Sequence, residues 1–186
     1  RLASVKTKLS MVAISGAIMP EPLAIPLMVT FTPSIKAVMV AALLYAVRMA
    51  AITGFYHRYF AHRAFRTGRA TQFVFAILGA SAAQRGPLWW ASHHRHHHAR
   101  SDQVDDAHSP HHRGFLWSHM GWFLSRRNFA TRTDLIGDFA RYPELRLIDR
   151  FDVLAPLALA GALYALGQWM AETAPHLETS GPQLLV

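Results

Sequence analysis

Apolar and polar positions alternate in long blocks along this chain rather than at the short periods of a soluble fold. Residues 9–31 are apolar apart from Glu21, with Pro20, Pro22 and Pro26 interrupting them. About 20 mostly apolar residues suffice to carry a helix across a bilayer, so this block predicts a kinked first span. Pro33-Ser34 marks a turn, with Ser34 as a helix N-cap. Residues 35–56 predict a second span, carrying Lys36 at one end and Arg48 in its last third. Two spans joined by so short a turn form an antiparallel helical hairpin.

The run 70–84 is uncharged but has only 15 residues, roughly 22 Å as a helix, against about 30 Å of hydrocarbon. It predicts a helix lying in the interface or buried in the protein. Residues 85–150 are polar, with Trp89, Trp90, Trp117 and Trp122 expected as a membrane-surface belt. Residues 153–171 contain no charge and predict a third span; 172–182 reads as an exposed loop, and a fourth span is expected to begin at Leu184. The fold class is therefore all-α: an integral-membrane helical bundle, four spans in a longer parent and about three here, under a helical, His-rich cap.

Charge sharpens this division. The block 57–150 holds 14 of the 19 Lys and Arg residues, 7 of the 11 acidic residues and 11 of the 12 histidines. That is one polar block between two apolar arms, organised as a single domain over 1–186. Basic side chains accumulate on the cytoplasmic side of membranes, which is where the block is expected to lie. The formal charge of +8 also suits an anionic substrate. Nucleic acid is a poor partner for a chain with long apolar arms. The absence of cysteine removes disulfide scaffolds, iron–sulfur clusters and thiol nucleophiles, so a metal here is held by nitrogen and oxygen. Arg1 at the start and the apolar run Leu184-Leu185-Val186 at the end suggest cuts in a longer protein.

Two histidine clusters carry the chemistry. His57 and His62 follow the second span at a separation of five residues, about 140° of rotation on an α-helix. For both to face one site, the helix has to end or unwind between them. The second cluster is His93-His94-Arg95-His96-His97-His98. Helical spacing aligns His94, His97 and His98, or equally His93, His96 and His97, and spacing alone does not choose between the two. So many imidazoles around a short apolar segment indicate a metal site. There are more of them than the three that catalytic zinc usually needs, and no Glu stands in either cluster as the zinc-protease signature requires. Two irons for oxygen chemistry fit the inventory best.

The segments ITGFYHRYFAHRAF, PLWWASHHRHHHARSD and HSPHHRGFLWSHMGW resemble the membrane-bound acyl-CoA Δ9-desaturases of the stearoyl-CoA type, over about residues 48–127. The family's His-Arg pair after Trp-Ala matches His94-Arg95, so the resemblance implies His57, His62, His94, His97 and His98 as ligands of a di-iron centre. It also implies that Arg126 and Arg127 clamp the phosphates of coenzyme A. Gln84 and Trp90 then border the acyl tunnel, and Asp105, Asp106 and His108 support the ligands from behind. The expected activity is O2-dependent insertion of a cis double bond into a saturated fatty acyl-CoA, with electrons from cytochrome b5 or a ferredoxin and its reductase. The family's third box, HxxHH, is not found in this chain, which is thus expected to be a C-terminally truncated fragment, inactive alone. Short loops favour a bacterial inner membrane over the endoplasmic reticulum. A His-rich di-iron hydroxylase of lipids or alkanes, and a non-enzymatic membrane metal-binding protein, are the rival readings.

Overall fold

The computed structural model describes residues 34–185, so the expected span over 9–31 lies outside the described residues. Every described element is helical, without a strand among them. Helix α1 (Ile35–Ala50) runs directly into a π-helical segment, Ala51–Ala61. Then follow α2 (Arg69–Ala80), α3 (Pro87–Ala99), a series of short turns, α4 (Pro143–Arg150) and α5 (Leu154–Thr173). The continuous helix Ile35–Ala61 and α5 are long and apolar enough to cross a membrane. Their side chains stay largely outside the protein core: Met39, Leu43, Leu154 and Trp169 are all more than half exposed. Large apolar faces left open in this way belong in lipid rather than in a soluble core.

The contacts fall into two bodies. The first comprises residues 34–44 and 157–185. Ser34 caps α1 as the sequence predicts, its Oγ accepting from the Ala37 N–H at 3.1 Å. The stretch expected as an exposed loop over 172–182 is ordered instead. Helix α5 continues through Thr173, Pro175–Leu177 form a 3₁₀ turn, and Gly181–Leu185 is a short helix. Thr179 is buried and its hydroxyl meets that of Ser34 at 2.7 Å. Close backbone packing explains the order: a Cβ on Gly167 would collide with the Ser180 backbone, so only glycine lets this return segment lie on α5.

The second body, residues 45–156, holds the polar chemistry. Its core consists of Ile52, Tyr56, Tyr59 and Phe60 from the π-helical segment, Ala76 from α2, Leu88 and Ala91 from α3, and Ile136, Phe139 and Leu145. Helix α2 buries Gln72, Ala76, Gly79 and Ala80 and leaves Phe73, Val74 and Ile77 outside, the one-sided burial expected of a helix too short to span. Gly79 lets α2 press against the Tyr56 ring, which its Cβ would penetrate. Trp89 and Trp122 depart from the expected surface belt. They are buried and stacked on each other at 5.4 Å, because the indole of Trp89 reaches the Asn128 carbonyl at 2.8 Å inside the fold.

Helix α3 starts with Pro87 after Gly86 and has no capping side chain of its own. Its cap comes from α4: the Asp149 carboxylate accepts from the Trp89 N–H at 2.7 Å and from the Thr131 hydroxyl at 2.7 Å. Gly86 is required there, since a Cβ would run into Asp149. The end of the chain's polar block thus positions the start of its histidine helix.

Candidate metal centre

His57 and His62 share one side of their helix because it widens. The His62 N–H donates to the His57 carbonyl at 3.0 Å, an i→i+5 bond, and such bonds put more residues into each turn than an α-helix holds. The 140° offset expected of an α-helix therefore shrinks, and the helix ends at Ala61, so the loosening and the helix end that the spacing called for both fall between the two rings. Helix α3 then brings His94 and His98 up to the pair from its adjacent turns.

The Nε2 atoms of these four rings converge. His62 lies 3.1 Å from His57 and 3.3 Å from His94, and His94 lies 3.0 Å from His98. All four ligand atoms fall within 4.8 Å of one another. A neutral ring nitrogen carries either a proton or a free lone pair, so each can form only one of these contacts as donor. In the series His57–His62–His94–His98, two contacts can be hydrogen bonds and the third cannot. A cation faced by all four lone pairs resolves the conflict. The spacings also fit: nitrogens at about 2.1 Å from one ion stand roughly 3.0–3.3 Å apart at angles near 90–105°. Burial, then the neighbouring imidazoles, push His94 down to about 3, and burial followed by His57, His98 and Arg95 lowers His62. Both rings are thus neutral at physiological pH, the form that binds metal.

His97 stands apart from this group. Its Nδ1 donates to both Asp106 oxygens at 3.0 Å, which fixes the tautomer and leaves the Nε2 lone pair available. Asp106 is 1% exposed and also accepts the backbone N–H groups of Asp102 and His108. Burial pushes its carboxyl up, but the His97 bond and these two N–H groups outweigh that and hold it below the usual range. The His108 ring lies 5.2 Å from that of His97 and 4.2 Å from that of Trp122. Asp105 departs from the expected support role: it is exposed and turns to His96 at 3.5 Å and Arg100 at 3.8 Å, because it sits on the outside of the turn that buries Asp106.

Of the two helical registers left open by spacing, α3 directs only His94 and His98 into the cluster. His93 faces the core, bonded to the Ala130 carbonyl at 3.2 Å, and burial, only partly offset by that bond, lowers it to about 4. Trp90 stacks on His94 at 4.7 Å and donates to Gln84 at 3.3 Å, so this pair borders the cluster. Arg126 and Arg127 form an exposed 3₁₀ turn, with the Arg127 guanidinium 4.9 Å above the Trp117 ring.

Sequence reasoning missed Arg95. Its guanidinium donates to the carbonyls of Phe60, Ala61 and Leu135 at 2.6–3.0 Å and to both oxygens of Asp138 at 2.8 and 2.9 Å. It thereby satisfies the open carbonyls at the end of the π-helical segment and ties the first histidine pair to the second. The signal was an arginine among metal-binding histidines, a poor place for a free cation. Its partners, distant in sequence, were not readable.

Described elements that are all helical, two apolar helices long enough for a bilayer and a cluster of imidazoles able to hold a metal define the class of this fold and site. Comparison with known sequences narrows it: residues 34–176 match the fatty acid desaturase family, and the chain belongs to it. It is 40% identical over 136 residues to the chloroplastic palmitoyl-monogalactosyldiacylglycerol delta-7 desaturase of Arabidopsis thaliana, covering 71% of this chain and 36% of that protein. Identity is 35% over 119 residues to the sn-2 palmitoyl-lipid 9-desaturase of Nostoc sp. (strain 36), covering 61% and 41%. It is 34% over 141 residues to an acyl-CoA 5-desaturase of Anemone leveillei, covering 74% and 44%. The chain thus spans about two fifths of the length of these relatives, 36–44%.

Proposed function

We propose that this chain carries the first two histidine boxes of an O2-dependent di-iron desaturase, an oxidoreductase that places a cis double bond in a saturated fatty acyl chain. The observation that carries the reading is the convergence of the His57, His62, His94 and His98 nitrogens within 4.8 Å. These four would hold one iron, and His97, with its Nε2 left open by Asp106, would serve the second. When bound, iron supplies the O2-dependent oxidising power to break unactivated methylene C–H bonds, which no side chain here matches.

The protein's own groups position and shield. Asp106 keeps the His97 lone pair directed outward, and Arg95 holds the two histidine helices in register. Trp90, its indole N–H held by Gln84, offers an aromatic wall for an acyl chain, excluding water from the reacting carbons. Arg126 and Arg127 are exposed donors suited to a phosphate-bearing head. Electrons come from an external carrier, cytochrome b5 or a ferredoxin, and the block 57–150 faces the cytoplasm of a bacterial inner membrane. The sequence reading is an acyl-CoA substrate and the Δ9 position. The relatives' names span acyl-lipids at positions 7 and 9 and an acyl-CoA at position 5, so carrier and position form the finer part of the proposal.

The test is product analysis. The full-length enzyme, in membranes with its reductant, is given saturated acyl-CoA or saturated acyl-glycerolipid, and products are resolved by mass spectrometry alongside iron content. About two irons per chain and a monounsaturated product are expected. A hydroxylated product establishes the hydroxylase reading instead, and bound metal without O2 consumption establishes a metal-binding protein.

A further inference from the structure

A cavity of about 490 Å³ opens where the chain leaves the π-helical segment, between the loop over 62–68, the start of α2 and the turn at Asp138–Tyr142. None of the residues that line it is Asp106, His97 or a member of the histidine cluster. Its polar rim is made of arginines: Arg63, Arg66, Arg69 and Arg141. Arg69 is taken up by Glu144, bidentate at 2.6 and 2.7 Å. Asp138 is shared between Arg63 at 3.5 Å and the largely buried Arg95. Arg66 has no polar partner among the described residues, and Arg141 bonds only the Tyr142 hydroxyl, at 2.9 Å. Five guanidinium groups thus meet two carboxylates, and the surplus faces the cavity.

A second, independent feature lies in the cavity wall. Gln72 is 3% exposed and lines the cavity. Its Oε1 accepts from the Tyr59 hydroxyl at 3.0 Å, whereas its Nε2 has no partner among the described residues. Buried donors are nearly always paired, so an amide left open in a cavity wall is an invitation to an acceptor. Every unpaired group here donates, and most of them carry positive charge. The matching ligand is rich in acceptors, negatively charged and small enough to sit between guanidinium forks. Aromatic walls from Tyr59 and Phe139 lower the local dielectric and strengthen each such contact.

We infer that this cavity is an oxyanion site of the phosphate class, separate from the histidine cluster, with Arg66, Arg141 and Gln72 Nε2 as its open donors. It stands at the end of the apolar helix Ile35–Ala61, the level at which phospholipid headgroups meet a spanning helix. An anionic lipid head and a soluble phosphate present the same chemistry to it.

The test needs neither iron nor turnover, so its outcome is independent of the desaturase reading. The full chain, purified in uncharged detergent, is titrated by calorimetry with inorganic phosphate. In parallel it is titrated with bilayer nanodiscs of phosphatidylcholine alone or with phosphatidylglycerol added. Saturable binding at one site per chain is expected. It should weaken about tenfold in Arg66→Ala/Arg141→Ala, whose side chains are exposed, and several-fold in Gln72→Met, which keeps the volume but loses the donor. Binding of phosphatidylglycerol but not free phosphate assigns the lipid head, and binding of both assigns a general phosphate site. Absence of saturable binding to either ligand overturns the inference. So does an equal loss in the control Arg146→Ala/Arg150→Ala, because diffuse surface charge would then account for the affinity.

Discussion

His94 is the ring on which the cluster depends, since its Nε2 touches both His62 and His98. Replacing it with Ala separates the first-box pair from His98, and iron content measured by elemental analysis is expected to fall to background. His96→Ala is the matching control: this ring faces exposed Asp105, and iron content should not change. Asp106→Asn tests the supporting layer. An amide accepts fewer of the three bonds now made to the carboxylate, and it loosens the His97 tautomer. Iron affinity is expected to drop about 10–100-fold, read as occupancy at limiting iron. The candidate ligand types and their helical spacings were legible at this scale from the sequence. The fate of Asp105 and Asp106 was not, because adjacent residues in a turn point in opposite directions, and only the turn's path decides which is buried.

Among the elements, the junction between the π-helical segment and α3 rests on Arg95. Arg95→Met leaves three carbonyls and the Asp138 carboxylate short of donors, and a loss on the order of 3 kcal/mol in thermal unfolding is expected. The same pair predicts an acid dependence. Burial raises the Asp138 carboxyl, but the bonds and charge of Arg95, aided by Arg63, more than offset it and hold the group below its ordinary value. A carboxyl with a lowered folded value stabilises fully above the ordinary range near pH ~4 and loses that contribution as pH falls through the folded value. Asp138→Asn should therefore be less stable at neutral pH and show a shallower acid decline, followed by denaturation in detergent. Gly86→Ala, which drives a Cβ into Asp149, is expected to cost about 1–3 kcal/mol by the same assay. Helices α1, α2 and α5 were readable from apolar run lengths. The π-helical widening was not, since it depends on one turn's hydrogen-bond register rather than on composition.

For the molecule as a whole, the proposed orientation can be checked directly because the chain has no cysteine. Val104→Cys, at a position 73% exposed in the polar block, should react with a membrane-impermeant maleimide in inverted vesicles and not in intact cells. The reverse pattern would place the histidine block on the outer face. The apolar blocks, the polar insert and the two histidine motifs are properties of composition and local spacing, and the sequence by itself determined them. With them came the all-helical class, the membrane-fit helices and the candidate nitrogen donors. Tertiary structure alone decided that His57 and His62 face one way, that His97 leans on Asp106, and that Trp89 and Trp122 are core. It also decided that Arg95 joins elements far apart in the chain and that Gln72, its Nε2 unpaired, stands in the wall of a basic cavity. Each of these depends on which residues, tens of positions away, lie within a few ångströms, and pairings of that range leave no periodic trace in a single sequence.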